Sequence, residues 1–347
     1  MDDIEIIPPE IRAGYRLDAA PAEPVRTGHI NRTFRVRRGG ETCVLQMLNP
    51  IFAPEVHKDI QAVTEWIAAR GLTTPRLIPA PGGELWLFDR QGHTWRLMSF
   101  IAGRTFLFAD SAQRCREAGR LLGRFHRVVW DCPHRFVFTR LGIHDTPKHL
   151  EALREALRAH PKHRLYRPVS KLAEAIFEAG TPLAGPGAEL PARLVHGDPK
   201  ISNFVFSDGG QAVALIDLDT LGRMPLSVEL GDALRSWCAP HGEEHGQGFS
   251  IDFFESGLRG WLEAIGPLPG PEEVRAIPAA VARISIELAA RFAADALNER
   301  YFAHDRERYA AAGEHNLARA ESQWGQACSA MTLTARMTEV VEGLLGP

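Results

Sequence analysis

The first hundred residues alternate between strand-like and turn-like segments. Four runs are rich in β-branched and aromatic residues and form two pairs, each around a short polar turn that contains glycine. These runs are 33–38, 42–48, 84–88 and 93–100. Between the two pairs, apolar residues recur at helical spacing over 54–70, and Gly71 follows where a helix would end. This pattern predicts an antiparallel sheet with one helix.

After Gly103 the pattern becomes mostly helical. Asp110 and Ser111 are favourable first residues for a helix that continues to Val129. Further helical patterns cover 148–159, 168–179, 227–238, 249–265, 271–301 and 315–344. The strong strand signal in this half is a hairpin over 204–216. The sequence therefore predicts an α+β fold with an N-terminal sheet lobe, 1–100, and a larger helical C-terminal lobe, 101–347.

Composition narrows the possible functions. The chain of 347 residues is 45% hydrophobic and 24% charged, which is usual for a globular protein. Its net charge of −3, from 40 basic and 43 acidic residues, argues against binding to nucleic acid or to an anionic membrane. The five cysteines are scattered without a C-x-x-C pair, so we expect free thiols in a reducing cytoplasm. The oligomeric state stays open.

Candidate chemistry is concentrated on both sides of the predicted hairpin. The segment 196–203 has the sequence HGDPKISN, and Asp217 and Asp219 follow the second strand. Because the two strands of a hairpin run antiparallel, Asn203 and Asp217 are expected to lie close together at its open end. Asp198 lies on the loop that enters the same edge, and Asp219 faces the same side as Asp217 if the strand continues. Carboxylate and amide oxygens suit a hard divalent cation, so Asn203, Asp217 and Asp219 are predicted metal ligands.

The H-G-D-x-x-x-x-N pattern, followed by a hairpin and I-D-x-D, resembles the catalytic core of the protein-kinase-like phosphotransferases. Gly197 after His196 is similar to the branch of aminoglycoside phosphotransferases and choline kinases, which act on small molecules. The resemblance implies a bilobal kinase fold, ATP and Mg²⁺. It implies that Asp198 accepts the proton of the acceptor hydroxyl. Lys200, two residues later, could serve on the acceptor side of the γ-phosphate.

Six segments are similar to the N-acetylhexosamine 1-kinase group within that branch. They are 28–34, 44–46, 216–220, 226–227, 231–235 and 291–302. This resemblance implies a sugar acceptor, phosphorylated at its anomeric position, with Asp198, Arg291, Tyr301 and His29 near the sugar. The last segment lacks the Gly-Asp that the group has before the tyrosine. An aminoglycoside, choline or homoserine acceptor therefore remains an alternative.

The nucleotide is expected between the sheet lobe and the catalytic loop. The residues predicted to bind it are Gly28, Asn31, Thr33, Gln46, Met98 and Phe100. Gln46 occupies the position of the kinase lysine in V-A-I-K and carries no charge. Lys58, Arg32 or Arg35 could supply the missing charge, and the sequence does not choose among them.

Two other function classes follow from the same residues. The missing lysine leaves open a pseudokinase that binds nucleotide without transferring phosphate. A metal-dependent hydrolase could use the same carboxylates, although no histidine cluster at ligand spacing accompanies them. Three supporting roles are also predicted: Asp232 accepts backbone N–H groups of the catalytic loop, His196 holds that loop, and Arg291 pairs with Asp295 or with a ligand hydroxyl.

Overall fold

The computed structural model describes residues 7–25, 31–138, 144–184, 189–242, 248–300 and 304–346. The strands are β1 (Glu23–Val25), β2 (Arg32–Arg38), β3 (Glu41–Met47), β4 (Leu87–Phe88), β5 (Thr94–Ser99), β6 (Ala192–Val195), β7 (Phe204–Phe206), β8 (Ala212–Leu215) and β9 (Gly222–Pro225). The first helices are α1 (Pro9–Gly14), α2 (Val56–Ala69), α3 (Ala112–Val129), α4 (Thr146–Ala159) and α5 (Tyr166–Gly180). The remaining helices are α6 (Leu226–Trp237), α7 (Ile251–Ile265), α8 (Pro271–Arg275), α9 (Ile277–Asn298), α10 (Ala312–Thr332) and α11 (Thr334–Leu345).

The N-terminal sheet is antiparallel, with the strand order β1-β2-β3-β5-β4. The hairpins β2–β3 and β4–β5 and helix α2 confirm the predicted elements of this region, although the strand predicted over 84–88 is only the two residues of β4. One face packs against α1, where the Tyr15 hydroxyl donates a hydrogen bond of 2.9 Å to the carbonyl of Trp95. Residues of α2 such as Ile60 and Val63 belong to a second core that continues into the helical part. The sheet is thereby fixed above the helices.

Close packing of α3 against α7 anchors the helical part. A Cβ atom at Gly119 would lie 2.0 Å from the carbonyl oxygen of Gly257, so only glycine allows the two helices to approach this closely. The hydroxyl of Ser111 accepts the N–H of Arg114 and caps α3, as predicted. Helix α9 packs against α4, α5, α6 and α10. Within the described ranges, no helix has the length and apolar character needed to cross a bilayer.

The hairpin predicted over 204–216 is present as β7 and β8. The pairing of β6 with β9 was not predicted, because these two short strands lie far apart in the sequence. The helix predicted over 271–301 is two helices, α8 and α9, with Pro278 in the first turn of the second. Proline has no N–H to continue a preceding helix, which explains the break. The pattern over 315–344 is likewise divided at Leu333.

Candidate active site

A cavity of about 280 Å³ lies between the sheet and the β7–β8 hairpin. Eight of the predicted site residues line it: Asn31, Thr33, Gln46, Met98, Phe100, Lys200, Asn203 and Asp217. The sheet therefore faces the catalytic segment across one shared space. Gly28, His29 and Tyr301, also predicted site residues, lie outside the described residues.

His196 ties the catalytic loop to the end of β8. Its Nε2 lies 2.9 Å from the carbonyl oxygen of Ile216, and its Nδ1 accepts the N–H of Asp198 at 3.3 Å. These partners assign the proton to Nε2, because a carbonyl oxygen can only accept. The imidazole thus fixes Asp198 relative to the strand end that precedes Asp217, which is the holding role predicted for His196.

Gly197 has a conformation that its neighbours require. Its φ is +84°, and a Cβ atom there would lie 2.1 Å from the carbonyl oxygen of Thr220. Side chains rarely adopt this backbone region, and the close carbonyl excludes one on space alone. This explains why glycine, and no larger residue, follows His196 in this chain.

Glu229 in α6 holds the same loop through hydrogen bonds to its backbone. Its carboxylate accepts the N–H groups of His196 at 2.9 Å and of Gly197 at 3.0 Å. Burial raises the pKa of Glu229, but the His126 imidazole, 3.5 Å from its Oε1, the His196 imidazole and the N–H of Gly197 together lower it by more. The prediction that Asp232 accepts the N–H groups of this loop was wrong. Asp232 lies about one turn further along α6 and pairs with Arg235 at 2.9 Å.

Asp198, Lys200 and Asn203 form one hydrogen-bonded group beside the cavity. The Lys200 ammonium lies 2.7 Å from Oδ2 of Asp198, and Nδ2 of Asn203 donates to that same oxygen at 3.1 Å. Asn203 also donates to the Asp198 carbonyl at 2.7 Å. Burial raises the pKa of Asp198, but the charge and hydrogen bond of Lys200, together with the nearby His196 and Arg235, lower it by more, so the pKa lies below its usual value. Asp198 is therefore an ionised, oriented carboxylate.

Asp217 has a different environment. Its backbone is left-handed, with φ +66° and ψ +59°, which is uncommon for a residue with a side chain and typical of functional sites. Burial and the neighbouring Asp219 carboxylate raise the pKa of Asp217 to about 6. Among the described residues its carboxylate has no hydrogen-bond or ion-pair partner, although it lines the cavity. A cation bound to Asp217 would offset both the cost of removing its charge from water and the repulsion by Asp219.

The donor set fits a nucleotide-bound divalent cation. In the part of the chain that the structure describes, no three His, Cys, Asp or Glu side chains form a complete metal site. Mg²⁺, however, is usually bound through one or two carboxylates and completes its octahedron with water and substrate phosphates. Asp217 and Asn203 on one cavity wall meet that requirement.

Asp219 was predicted to bind metal with Asp217, but it takes another position. The chain after Asp217 forms a 3₁₀ turn instead of continuing as a strand, so residue 219 is turned toward the sheet. Both carboxylate oxygens accept from the guanidinium of Arg96, and Oδ2 also accepts from Asn31 at 2.7 Å. Burial raises the pKa of Asp219, and the charge and hydrogen bonds of Arg96 together with the hydrogen bond from Asn31 lower it by more. These hydrogen bonds occupy both carboxylate oxygens. Asp219 is 2% exposed and lies behind the cavity wall.

The sequence-based candidates for a nucleotide-site cation did not include Arg96, although it lines the cavity. The alternation in β5 was the available signal, since Arg96 shares a strand face with Met98, which was predicted to contact nucleotide. Lys58 and Arg32 are exposed and do not line the cavity. Arg35, the third predicted cation, does line the cavity, and its guanidinium lies 5.0 Å from the ring centre of Phe100.

Arg291 and Asp295, predicted near the acceptor, do not line this cavity. Burial raises the pKa of Asp295 to about 6, and the charge of Arg291 acts in the opposite direction. A separate buried polar cluster lies between α4, α6 and α9. Its members include Asp232, Arg235, Glu287, Thr146 and His144. The charge of Arg235 contributes to the low pKa of Asp198, which relates this cluster to the catalytic loop.

The fold is shared with several solved structures. An aminoglycoside phosphotransferase from Alicyclobacillus acidocaldarius subsp. acidocaldarius DSM 446 has a TM-score of 0.62 at 15% identity, over 99% of this chain and 98% of that one. A choline/ethanolamine kinase family protein from Mesorhizobium loti has a TM-score of 0.58 at 18% identity, over 98% and 96%. An amicoumacin kinase in complex with AMP-PNP, Ca²⁺ and Ami has a TM-score of 0.60 at 12% identity, over 96% and 91%. At these identities the likeness shows the fold.

Comparison with a family model shows which family the chain belongs to. Residues 21–277 match the model described as the phosphotransferase enzyme family, which is most of the chain. The matched range includes the sheet, the catalytic loop, Asp217 and Asp219. The resemblance inferred from the H-G-D-x-x-x-x-N pattern is thereby confirmed at the level of the family, and the chain belongs to the phosphotransferase enzyme family.

Proposed function

We propose that the protein is an ATP- and Mg²⁺-dependent kinase that transfers the γ-phosphoryl group to a hydroxyl of a sugar of the N-acetylhexosamine type, at the anomeric position. The observation that carries the proposal is the shared cavity, in which Asn203, Asp217 and Lys200 face the sheet residues Thr33 and Gln46. Residues 1–100 then serve as the nucleotide-binding lobe. Residues 101–347 carry the catalytic loop and the acceptor site.

Asn203 and Asp217 are the proposed ligands of Mg²⁺. The Nδ2 group of Asn203 donates to Asp198, which leaves the amide oxygen available for a cation. The raised pKa and unpartnered carboxylate of Asp217 support the same assignment. The amicoumacin kinase of similar fold holds a nucleotide analogue with a divalent cation, which also supports a metal–nucleotide complex here. When bound, Mg²⁺ would neutralise charge on the phosphates.

Asp198 and Lys200 act on the acceptor side. The acceptor oxygen forms a bond to the γ-phosphorus, the bond from that phosphorus to the β-phosphate oxygen breaks, and ADP leaves. The hydroxyl proton passes to Asp198, whose low pKa suits it more for orienting the hydroxyl than for early proton removal. The Lys200 ammonium, 2.7 Å from Asp198, offsets negative charge on the transferred group.

Paired charges near the catalytic loop support a neutral, hydroxyl-rich acceptor. Asp232 is paired with Arg235 at 2.9 Å, and Glu287 interacts with Thr146 and, at 3.3 Å, with His144. A polycationic aminoglycoside would call for unpaired acidic groups instead. Arg291, Tyr301 and His29 remain proposed sugar contacts on the basis of the sequence resemblance.

The direct test is a coupled ADP-release screen across hexoses, N-acetylhexosamines, aminoglycosides, choline and homoserine, with and without Mg²⁺. We expect turnover with an N-acetylhexosamine, and only when Mg²⁺ is present. Turnover with an aminoglycoside or choline instead would contradict the proposed acceptor class. Nucleotide binding without turnover on any acceptor would favour a pseudokinase.

A further inference from the structure

Arg96 lies where a phosphate-binding cation is missing from the sequence pattern. Gln46, at the position of the kinase lysine, is paired in the sheet with Arg96 of β5. Cross-strand partners project from the same face of a sheet, so the Arg96 side chain leaves β5 beside the Gln46 side chain. The contact is direct, since Nε of Arg96 donates to Oε1 of Gln46 at 2.9 Å. Gln46 in turn donates to Thr33 at 3.0 Å.

The guanidinium is held by a carboxylate from the other side of the cleft. Asp219 accepts from both terminal nitrogens of Arg96, with Nη2 at 2.9 Å from Oδ2. In protein kinases the cation that binds the phosphates is positioned by a glutamate on the helix that follows β3. The corresponding helix here, α2, has no acid available for this role. Its Asp59 accepts from His134, Val137 and Phe138, and its Glu65 lies near Gln61 and Arg76.

Arg96 keeps donors for a ligand. Arginine has five N–H groups, and the described contacts use three, one at Nε and one at each terminal nitrogen, so two are left. Arg96 is one of the residues that line the cavity, and because it is only 1% exposed, solvent screens its charge weakly. This charge acts to lower the pKa of Asp217, which places it within electrostatic reach of the proposed metal site.

We propose that Arg96 supplies the phosphate-binding charge that kinases of this fold take from the β3 lysine, and that Asp219 replaces the helix glutamate that holds it. Gln46 then orients the guanidinium by accepting from Nε. The proposal rests on the proposed function, because it assumes a nucleotide in this cavity. It also gives Asp219 the role of a positioning residue in place of the metal-binding role that its sequence position suggested.

The test compares the binding of ADP and adenosine by calorimetry, because adenosine lacks the phosphates. The variant Arg96→Met/Asp219→Asn removes both charges together, so no unpaired ion is left buried. We expect ADP to bind about 10- to 100-fold more weakly and adenosine to bind as in the wild type. Adding Gln46→Lys to that variant should restore ADP binding to within about 3-fold, because the lysine returns the charge to its usual strand.

Controls separate phosphate binding from folding. Arg96→Lys keeps a cation beside Asp219 and should lose less ADP affinity than the double variant. Arg37→Met removes an exposed charge from β2, away from the cavity, and should not change binding. Melting curves of every variant report folding. Equal losses for ADP and adenosine, unchanged ADP binding, or failure of Gln46→Lys to restore binding in a folded protein would overturn the proposal. A wild-type protein that binds no ADP would instead overturn the proposed function.

Discussion

The two walls of the cavity treat their charged groups in opposite ways. On the sheet side, Arg96 is buried and bound to Asp219 through both terminal nitrogens. On the hairpin side, Asp217 lies two residues before Asp219 and has no described partner for its carboxylate. Asp217 is half-buried, and a carboxylate that is partly removed from water without a partner costs free energy. Proteins keep such groups mainly where a ligand completes them. Proximity in sequence therefore says little about role. The contacts of the two carboxylates, and not their spacing, distinguish Asp219, which positions Arg96, from Asp217, the proposed metal ligand.

The largest effect is expected for Asp198→Asn. If Asp198 orients the acceptor hydroxyl and takes its proton, the variant should lose about 10²- to 10⁴-fold in kcat, while nucleotide affinity changes little. ADP release and calorimetry measure the two quantities. Asp208→Asn is the matched control, because Asp208 lies exposed at the turn of the β7–β8 hairpin, with an ion pair to Arg104 at 3.5 Å. Turnover of the Asp198 variant near the wild-type rate would remove Asp198 from the chemistry.

The next-largest effect is a difference in the free energy of unfolding between variants of Asp219 and Asp217. Asp219→Asn leaves the buried Arg96 without its counter-charge and should lower the free energy of unfolding by about 3–5 kcal/mol. Asp217→Asn removes an unpartnered carboxylate and should leave that free energy unchanged or raise it. Urea unfolding without divalent cations measures both variants. Similar decreases in the free energy of unfolding for both variants would contradict the claim that Asp219 has a charged partner and Asp217 has none.

His57, on the sheet side of the cavity, is expected to make the free energy of unfolding depend on pH. It is buried on the sheet side, where burial and, to a smaller extent, the Arg96 charge lower the pKa of its imidazole to about 4. The unfolded value is about 6.5, so the unfolded chain binds more protons between these pH values. The free energy of unfolding should therefore rise with pH across this window, by about 3 kcal/mol from this group.

His57→Asn should flatten that rise, because asparagine does not titrate in this window. Asparagine can still donate to the Pro54 carbonyl, which His57 Nδ1 contacts at 2.6 Å. Unfolding curves between pH 4 and pH 7 measure the slope. His241→Asn is the control, since His241 is exposed. A slope unchanged by His57→Asn would place the pH dependence elsewhere.

Local patterns explain what the sequence could predict. The hairpin β7–β8, the capped helix α3 and the approach of Asn203 to Asp217 all depend on residues within about twenty positions of one another. The roles of Arg96 and Glu229 depend on long-range contacts. Arg96 and Asp219 are 123 residues apart, and Glu229 reaches Gly197 across 32. No local spacing signals such pairs, which is why Asp219 was assigned to the metal and Asp232 to the loop.

The central claim is that Asp217, with Asn203, holds a divalent cation on the phosphates of a nucleotide in this cavity. The most direct measurement is calorimetry of ADP with and without Mg²⁺, for the wild type and for Asp217→Asn. Mg²⁺ should strengthen wild-type ADP binding by about 10-fold or more, and Asp217→Asn should abolish that gain while keeping Mg²⁺-free binding. A full Mg²⁺ effect in Asp217→Asn, or a wild type whose ADP affinity ignores Mg²⁺, would contradict the account.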